Sequence, residues 1–258
     1  PMGGGCNSET FCSVWALAAD DEGVVYAGGS FLYFDGWEVN HIARWNGTSW
    51  LNMSEGVYPQ AGYIQSLVVD DDGDLFAGGG FEKMGGKTVN SIAKWSGSSA
   101  WPSWSSLGKG VDGGVAALIF DGHGNLYAGG GFTEAGDVEA HNVAMWDGQT
   151  WSALGEGTEL PVYALAFTEE GDLCAAEVSS YIVDDLYYYD SRISCWDGED
   201  WSTLEGEFDG KVDALAVSGG TLYAGGQFKT VGDTASTNLA AWTEGPTSYP
   251  LYLPLMRK

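Results

Sequence analysis

The sequence predicts an all-β fold of five tandem repeats, each folding into four short antiparallel strands, and three observations carry that reading. The first is composition: forty Gly, twelve Trp and thirteen Tyr in 258 residues suit many short strands joined by tight turns. The second is a recurring element: VYAGG (25–29), LFAGG (75–79), LYAGG (126–130) and LYAGG (222–226), with a degenerate copy, LCAAE (173–177). Successive copies stand 50, 51, 47 and 49 residues apart. The third is that three further series keep step with it.

Those series mark the strands. Strand A reads VWAL (14–17), IQSL (64–67), VAAL (115–118), VYAL (162–165) and VDAL (212–215). Strand B is the Gly-Gly element. Strand C reads IARW (42–45), IAKW (92–95), VAMW (143–146), ISCW (193–196) and LAAW (239–242), and strand D opens at Trp50, Trp104, Trp151 and Trp201. Turn-forming runs such as DDDGD (70–74) and DGHGN (121–125) separate A from B. A single four-stranded sheet cannot bury both its faces, whereas copies stacked in a ring can. The expected architecture is a five-bladed β-propeller, four antiparallel strands per blade, as one domain over 1–258. Its blades fall at 13–54, 62–110, 113–157, 160–206 and 210–255, after an entry segment 1–12 and with a tail at 249–258. Either Pro1–Gly5 or the tail Tyr249–Leu255 completes the fifth blade; the tail is longer and alternates apolar residues with Tyr and Pro, which favours it.

Nine of the Trp belong to strands C and D and are read as packing between blades, with the Gly pairs allowing close backbone approach there. The Gly pair after strand B and the Trp of strand C resemble kelch-type propeller repeats. The fuller pattern LYAGGxF, then IAxW, then WSxLGxG is similar to a kelch-related repeat of secreted bacterial proteins and fungal cortical polarity markers, over residues 13–242. That resemblance implies a propeller used for adhesion, surface display or assembly, and names no ligand.

Ten Lys and Arg stand against 36 Asp and Glu, a net charge of −26. Such a surface repels phosphate backbones and anionic headgroups, so neither nucleic acid nor a bare membrane is expected as partner. No apolar run is long enough to span a bilayer as a helix, and the start at Pro1 fits a processed or trimmed end.

The four cysteines form two local pairs. Cys6 and Cys12 flank a short insertion before the first strand A, where a disulfide would staple a loop in an oxidising compartment. Cys174 and Cys195 take the places of Tyr26 and Arg44 on neighbouring strands of the fourth repeat alone, and a cross-strand disulfide is the simplest account. Both pairs point to an extracellular or cell-surface protein.

Because repeat positions report packing, function is sought in the exceptions. One site in strand A varies while its neighbours do not, reading Trp15, Gln65, Ala116, Tyr163 and Asp213. It is expected to face the channel mouth on the top face, beside Trp37, either lining a pocket for a sugar or peptide or plugging the channel. The fourth repeat loses its Gly pair and lengthens its B–C loop by three residues, placing Tyr181, Tyr187, Tyr188 and Tyr189 among Asp184, Asp185 and Asp190. Tyr-rich loops give large contact area at low entropic cost, so this loop is an interaction surface or else folds over its own blade.

DDDGD and its relatives look like calcium loops, but they lack a distal Glu and fall at turns, so turn chemistry is the preferred reading over calcium and no cofactor is required. His41 and His141 read as surface polar residues rather than metal ligands. No nucleophile elbow, phosphate loop or zinc motif is present, and no carboxylate pair stands out. The expected function is a non-enzymatic secreted binding or scaffolding module: an adhesin, surface-layer component or subunit of a homo- or hetero-assembly. A lectin using the channel mouth is the alternative, with a hydrolase behind it.

Overall fold

The computed structural model describes residues 12–58, 62–97, 102–183 and 186–243. Every regular element among them is a β-strand. They divide into two compact units: Pro1–Ala128, Phe132–Ala140 and Ala144–Ser152 in the first, Gly129–Gly131, His141–Val143 and Ala153–Lys258 in the second.

Among the described residues the main sheets of the first four repeats have four strands each, in the order A-B-C-D, and that of the fifth has three. The second runs Tyr63–Val69, Leu75–Gly80, Ile92–Trp95 and Trp104–Ser106. The fourth runs Val162–Phe167, Leu173–Val183, Leu186–Trp196 and Trp201–Thr203. The sheet of the fifth repeat is Lys211–Ser218, Thr221–Gln227 and Leu239–Thr243. Both termini expected to complete it, Pro1–Gly5 and Tyr249–Leu255, lie outside the described residues, as does Cys6 of the Cys6–Cys12 pair.

The A–B turns follow from the chemistry of one side chain. Asp70 Oδ1 accepts the amides of Asp72 and Asp74 at 3.1 and 2.8 Å, and Asp121 Oδ1 accepts those of His123 and Asn125 at 2.8 and 2.9 Å. Asp20 does the same for Glu22 and Val24. The acidic runs are therefore Asx-type turns, the leading carboxylate being occupied by the backbone it folds.

The Gly pair divides its labour, which the sequence reading did not foresee. In strand A the register slips at the variable site, between Val14 and Ala16, Ile64 and Ser66, Val162 and Ala164, and Val212 and Ala214. The extra residue of each β-bulge presses the strand against its own neighbour. A Cβ on Gly79 would lie 2.0 Å from the Tyr63 carbonyl oxygen of the same sheet. The first Gly instead serves the neighbouring sheet: a Cβ on Gly78 would lie 2.5 Å from Val115 Cγ1, with Leu118 beside it. Gly28 receives Ile64 and Leu67 in the same way, and Gly129 receives Val162 and Leu165. In the first two repeats the first Gly allows approach between sheets, and the second accommodates the bulge. Gly78→Ala should cost about 1–2 kcal/mol and Gly79→Ala about 2–3 kcal/mol, since methyl groups yield and a ladder carbonyl does not. Urea midpoints of the two variants test the order.

The Trp residues also do two things. Within a sheet the strand C and strand D rings face each other across the ladder, as Trp95 and Trp104 do at 5.3 Å between centroids. Between sheets, the strand D indole N–H reaches back one repeat: Trp104 Nε1 donates to Met53 O at 3.0 Å, Trp151 to Leu107 O at 2.9 Å and Trp201 to Leu154 O at 2.8 Å. The expected packing between repeats is thus joined by pairing inside each sheet, because the large ring can bury on one face and hydrogen-bond at its edge.

In repeats 1, 2, 3 and 5 the B–C connection folds into a hairpin with two residues per strand, such as Lys83–Met84 with Lys87–Thr88. Repeat 4 has none, because strands B and C themselves continue outward.

Candidate interaction arm on the fourth repeat

Strands B and C of repeat 4 are eleven residues each and pair without a break from Leu173↔Trp196 to Val183↔Leu186. What the sequence suggested was a loop lengthened by three residues; the structure replaces it with a two-stranded arm. Loss of the small hairpin and of both glycines lets the ladder run on, since each residue from 174 to 183 can carry a side chain and stay in register.

The arm is anchored at its base. Cys174 and Cys195 sit directly opposite one another, Cα atoms 4.0 Å apart, and are joined by a disulfide; both are buried.

One step outward, Glu177 stands where other repeats have their second Gly, and only 1% of it is exposed. Strand pairing here begins at Val162↔Glu177, one pair later than the Tyr63↔Gly80 start of repeat 2, and Pro161 precedes it. The carboxylate is fully engaged. Its Oε2 accepts Arg192 Nε at 3.1 Å, Arg192 Nη2 at 3.0 Å and the Leu160 amide at 3.1 Å, while Oε1 accepts Ser194 Oγ at 2.5 Å. Arg192 Nη2 also donates to Glu159 at 2.8 Å. Burial alone would lower the Arg192 pKa, but the carboxylates of Glu159 and Glu177 raise it above the ordinary value. The guanidinium therefore stays charged, and a buried charge is matched by a partner rather than left bare.

Beyond that network the arm is exposed and aromatic. Tyr181 and Tyr188 face each other, their rings stacked 15° from parallel at 5.6 Å. Tyr187 is 68% exposed and Ile182 59%. Tyr189 is half-buried and Asp190 exposed, while Asp184 and Asp185 lie outside the described residues. A rigid base carrying an apolar, solvent-facing tip is an arrangement suited to docking. Sequence reasoning found the Tyr and Cys residues but missed Glu177, Arg192 and Ser194. The available signal was a charged residue in a glycine position, with its countercharge on the adjoining strand of the same repeat.

The other sequence-selected residues share one structural cause. Trp15, Gln65, Tyr163 and Asp213 are the extra residues of the strand A bulges, which is why they vary while their neighbours do not. In the first unit Trp15 is 51% exposed and packs edge-on against Tyr63 at 5.6 Å. In the second, Lys211 Nζ lies 4.6 Å over the Tyr163 ring and 2.6 Å from Asp213 Oδ1. Trp37 belongs to the small B–C hairpin of repeat 1, opposite Phe34, and is largely exposed. His41 is buried, a correction to its reading as a surface residue, while His141 is exposed. Among the described residues no group of three or more His, Cys, Asp or Glu side chains is placed to hold a metal ion.

No family model and no curated protein matches the sequence. Solved structures do. The extracellular domain of the hybrid two-component system BT4673 of B. thetaiotaomicron aligns with a TM-score of 0.55 at 11% identity, over 87% of this chain and 28% of that one. YCF48 bound to D1 peptide aligns at 0.40 and 14% identity, over 92% and 79% of the two chains. An inactive virginiamycin B lyase of Staphylococcus aureus aligns at 0.43 and 9%, over 89% and 80%. The chain spans little more than a quarter of the length of that extracellular-domain chain. The likeness to the BT4673 domain, with the all-strand structure, shows the fold: the chain is an all-β protein of the propeller type.

Proposed function

We propose that this chain is a five-bladed, kelch-like propeller that acts outside the cell as a non-enzymatic interaction module, docking a protein partner through the arm of its fourth repeat. The observation that carries this is the tip formed by Tyr181, Ile182, Tyr187 and Tyr188, four large side chains between 43% and 68% exposed on an anchored hairpin. Exposed aromatics grouped on one element mark interaction surfaces, and Tyr supplies contact area with few torsions to freeze. With a net charge of −26, a cationic protein surface is the complementary partner. The buried cross-strand disulfide supports an oxidising, extracellular setting.

The combined variant Tyr181→Ser, Tyr187→Ser, Tyr188→Ser tests it. Stability should change by no more than about 1 kcal/mol, since these rings are solvent-facing. Wild-type protein immobilised against the extracellular proteins of its source should retain a basic partner whose cross-links map to 178–191, and the variant should lose it. Equal retention by both proteins, or cross-links elsewhere, would sink the reading.

Carbohydrate binding is a second reading, supported by the exposed Trp15 ring beside Tyr63. Saturable binding on a glycan array that disappears in Trp15→Ala would favour it.

A further inference from the structure

Two rows of side chains that the repeat elsewhere buries lie open, one in each unit, and they are the two halves of one kind of junction. Where successive repeats meet, strand A of the later one sends two apolar side chains against the first Gly of the earlier one. Ile64 and Leu67 meet Gly28, Val115 and Leu118 meet Gly78, and Val162 and Leu165 meet Gly129. All six are buried. The matching pair of repeat 1 is Val14 and Leu17, which share a face because the bulge at Trp15 lies between them. They are 39% and 66% exposed.

The receiving half stands open on repeat 5. Ala214, Gly225 and Leu239 pair in one row across its three strands, as Ser66, Gly78 and Ile92 do in repeat 2. Leu239 is 42% exposed, whereas its counterparts Ile42, Ile92, Val143 and Ile193 are fully buried. Ala214 and Ala216 are exposed, whereas Ala164 and Ala166 of repeat 4 belong to the core against which Leu215 and Val217 pack. Among the described residues, a Cβ on Gly225 would meet only Asn238 O, at 3.9 Å. One end of the chain thus carries the inserting pair and the other the row that receives it.

We propose that copies of this chain associate head to tail, Val14 and Leu17 of one copy entering the row of Ala214, Gly225 and Leu239 on the next. A repeat array buries its core only where neighbours stack, so an open end favours a further repeat of the same pattern. A second copy supplies that pattern, and a surface complementary to a different surface of its own kind builds a head-to-tail contact. The assembly goes beyond the docking proposed for the arm and uses other residues.

Sedimentation of the full chain tests it. At about 100 μM, a concentration that populates any dimer with a Kd below that value, species heavier than one chain are expected. Raising the salt should strengthen the association, because apolar contacts persist while repulsion between copies of net charge −26 is screened. Gly225→Leu fills the receiving row and Leu17→Asp charges the inserting pair; each should weaken self-association at least about tenfold. Both should keep the wild-type circular dichroism, since neither site has close neighbours to disturb. Should Gly225→Leu fail to fold, Leu239→Asp on the same exposed row takes its place. Mixed together, the two variants should form a one-to-one heterodimer, because one keeps an intact inserting pair and the other an intact row. A wild-type chain that stays monomeric at that concentration, variants that associate as wild type does, or a mixture that forms no heterodimer would each overturn the proposal. The Tyr181, Tyr187, Tyr188 variant should still self-associate, and salt should weaken capture of a basic partner while strengthening this contact, so the two readings fail separately.

Discussion

Arg192→Leu should destabilise the protein by about 3–5 kcal/mol, because it leaves the Glu177 carboxylate buried with its charge unmatched. Ser194 and the Leu160 amide still donate to it, yet neither carries a full positive charge. The loss should appear in urea denaturation as a lowered midpoint with an unchanged slope. The companion measurement is the double variant Glu177→Leu, Arg192→Leu. Replacing both partners by apolar groups removes the uncompensated charge, so most of the lost stability should return. A double variant no more stable than Arg192→Leu would show that the pair matters through packing alone.

Removing the disulfide is the second large effect. Cys174 and Cys195 are 21 residues apart in sequence, and opening a loop of that length is expected to cost about 3 kcal/mol through the freedom it restores to the unfolded chain. Both sites are buried, so a double Ala variant would add a cavity to that loss. The double Val variant keeps the volume and isolates the cross-link. It should remain about 3 kcal/mol less stable than the oxidised wild type and match the reduced wild type within about 1 kcal/mol. A Val pair as stable as the oxidised protein would mean that the cross-link only records proximity.

Much of this is legible in the sequence. Strand identity, strand order within a repeat and the pairing of Cys174 with Cys195 followed from spacing, because each repeat meets the same packing problem and answers it with the same residues. The arm of repeat 4 was recognised as an exception but given the wrong form. Composition marked its Tyr residues, while the ladder from Val178↔Ser191 to Val183↔Leu186 depends on partners that only the paired strands bring together. Glu177 shows the limit most clearly. In isolation it is an ordinary acidic residue, and its meaning comes from Arg192, fifteen positions away on the opposite strand.

The sequence by itself determined the repeat, the strands and the variable site, since those depend on local periodicity and on residue types that recur at a fixed interval. The tertiary structure alone decided what the variable site is, an unpaired bulge residue, and why its two glycines are not interchangeable. It also decided that Val14, Leu17 and Leu239 stand exposed where their counterparts are buried, and that among the described residues nothing fills the place beside Gly225. A list of residues records which side chains are present. The space left where one is absent is defined only by the neighbours that surround it.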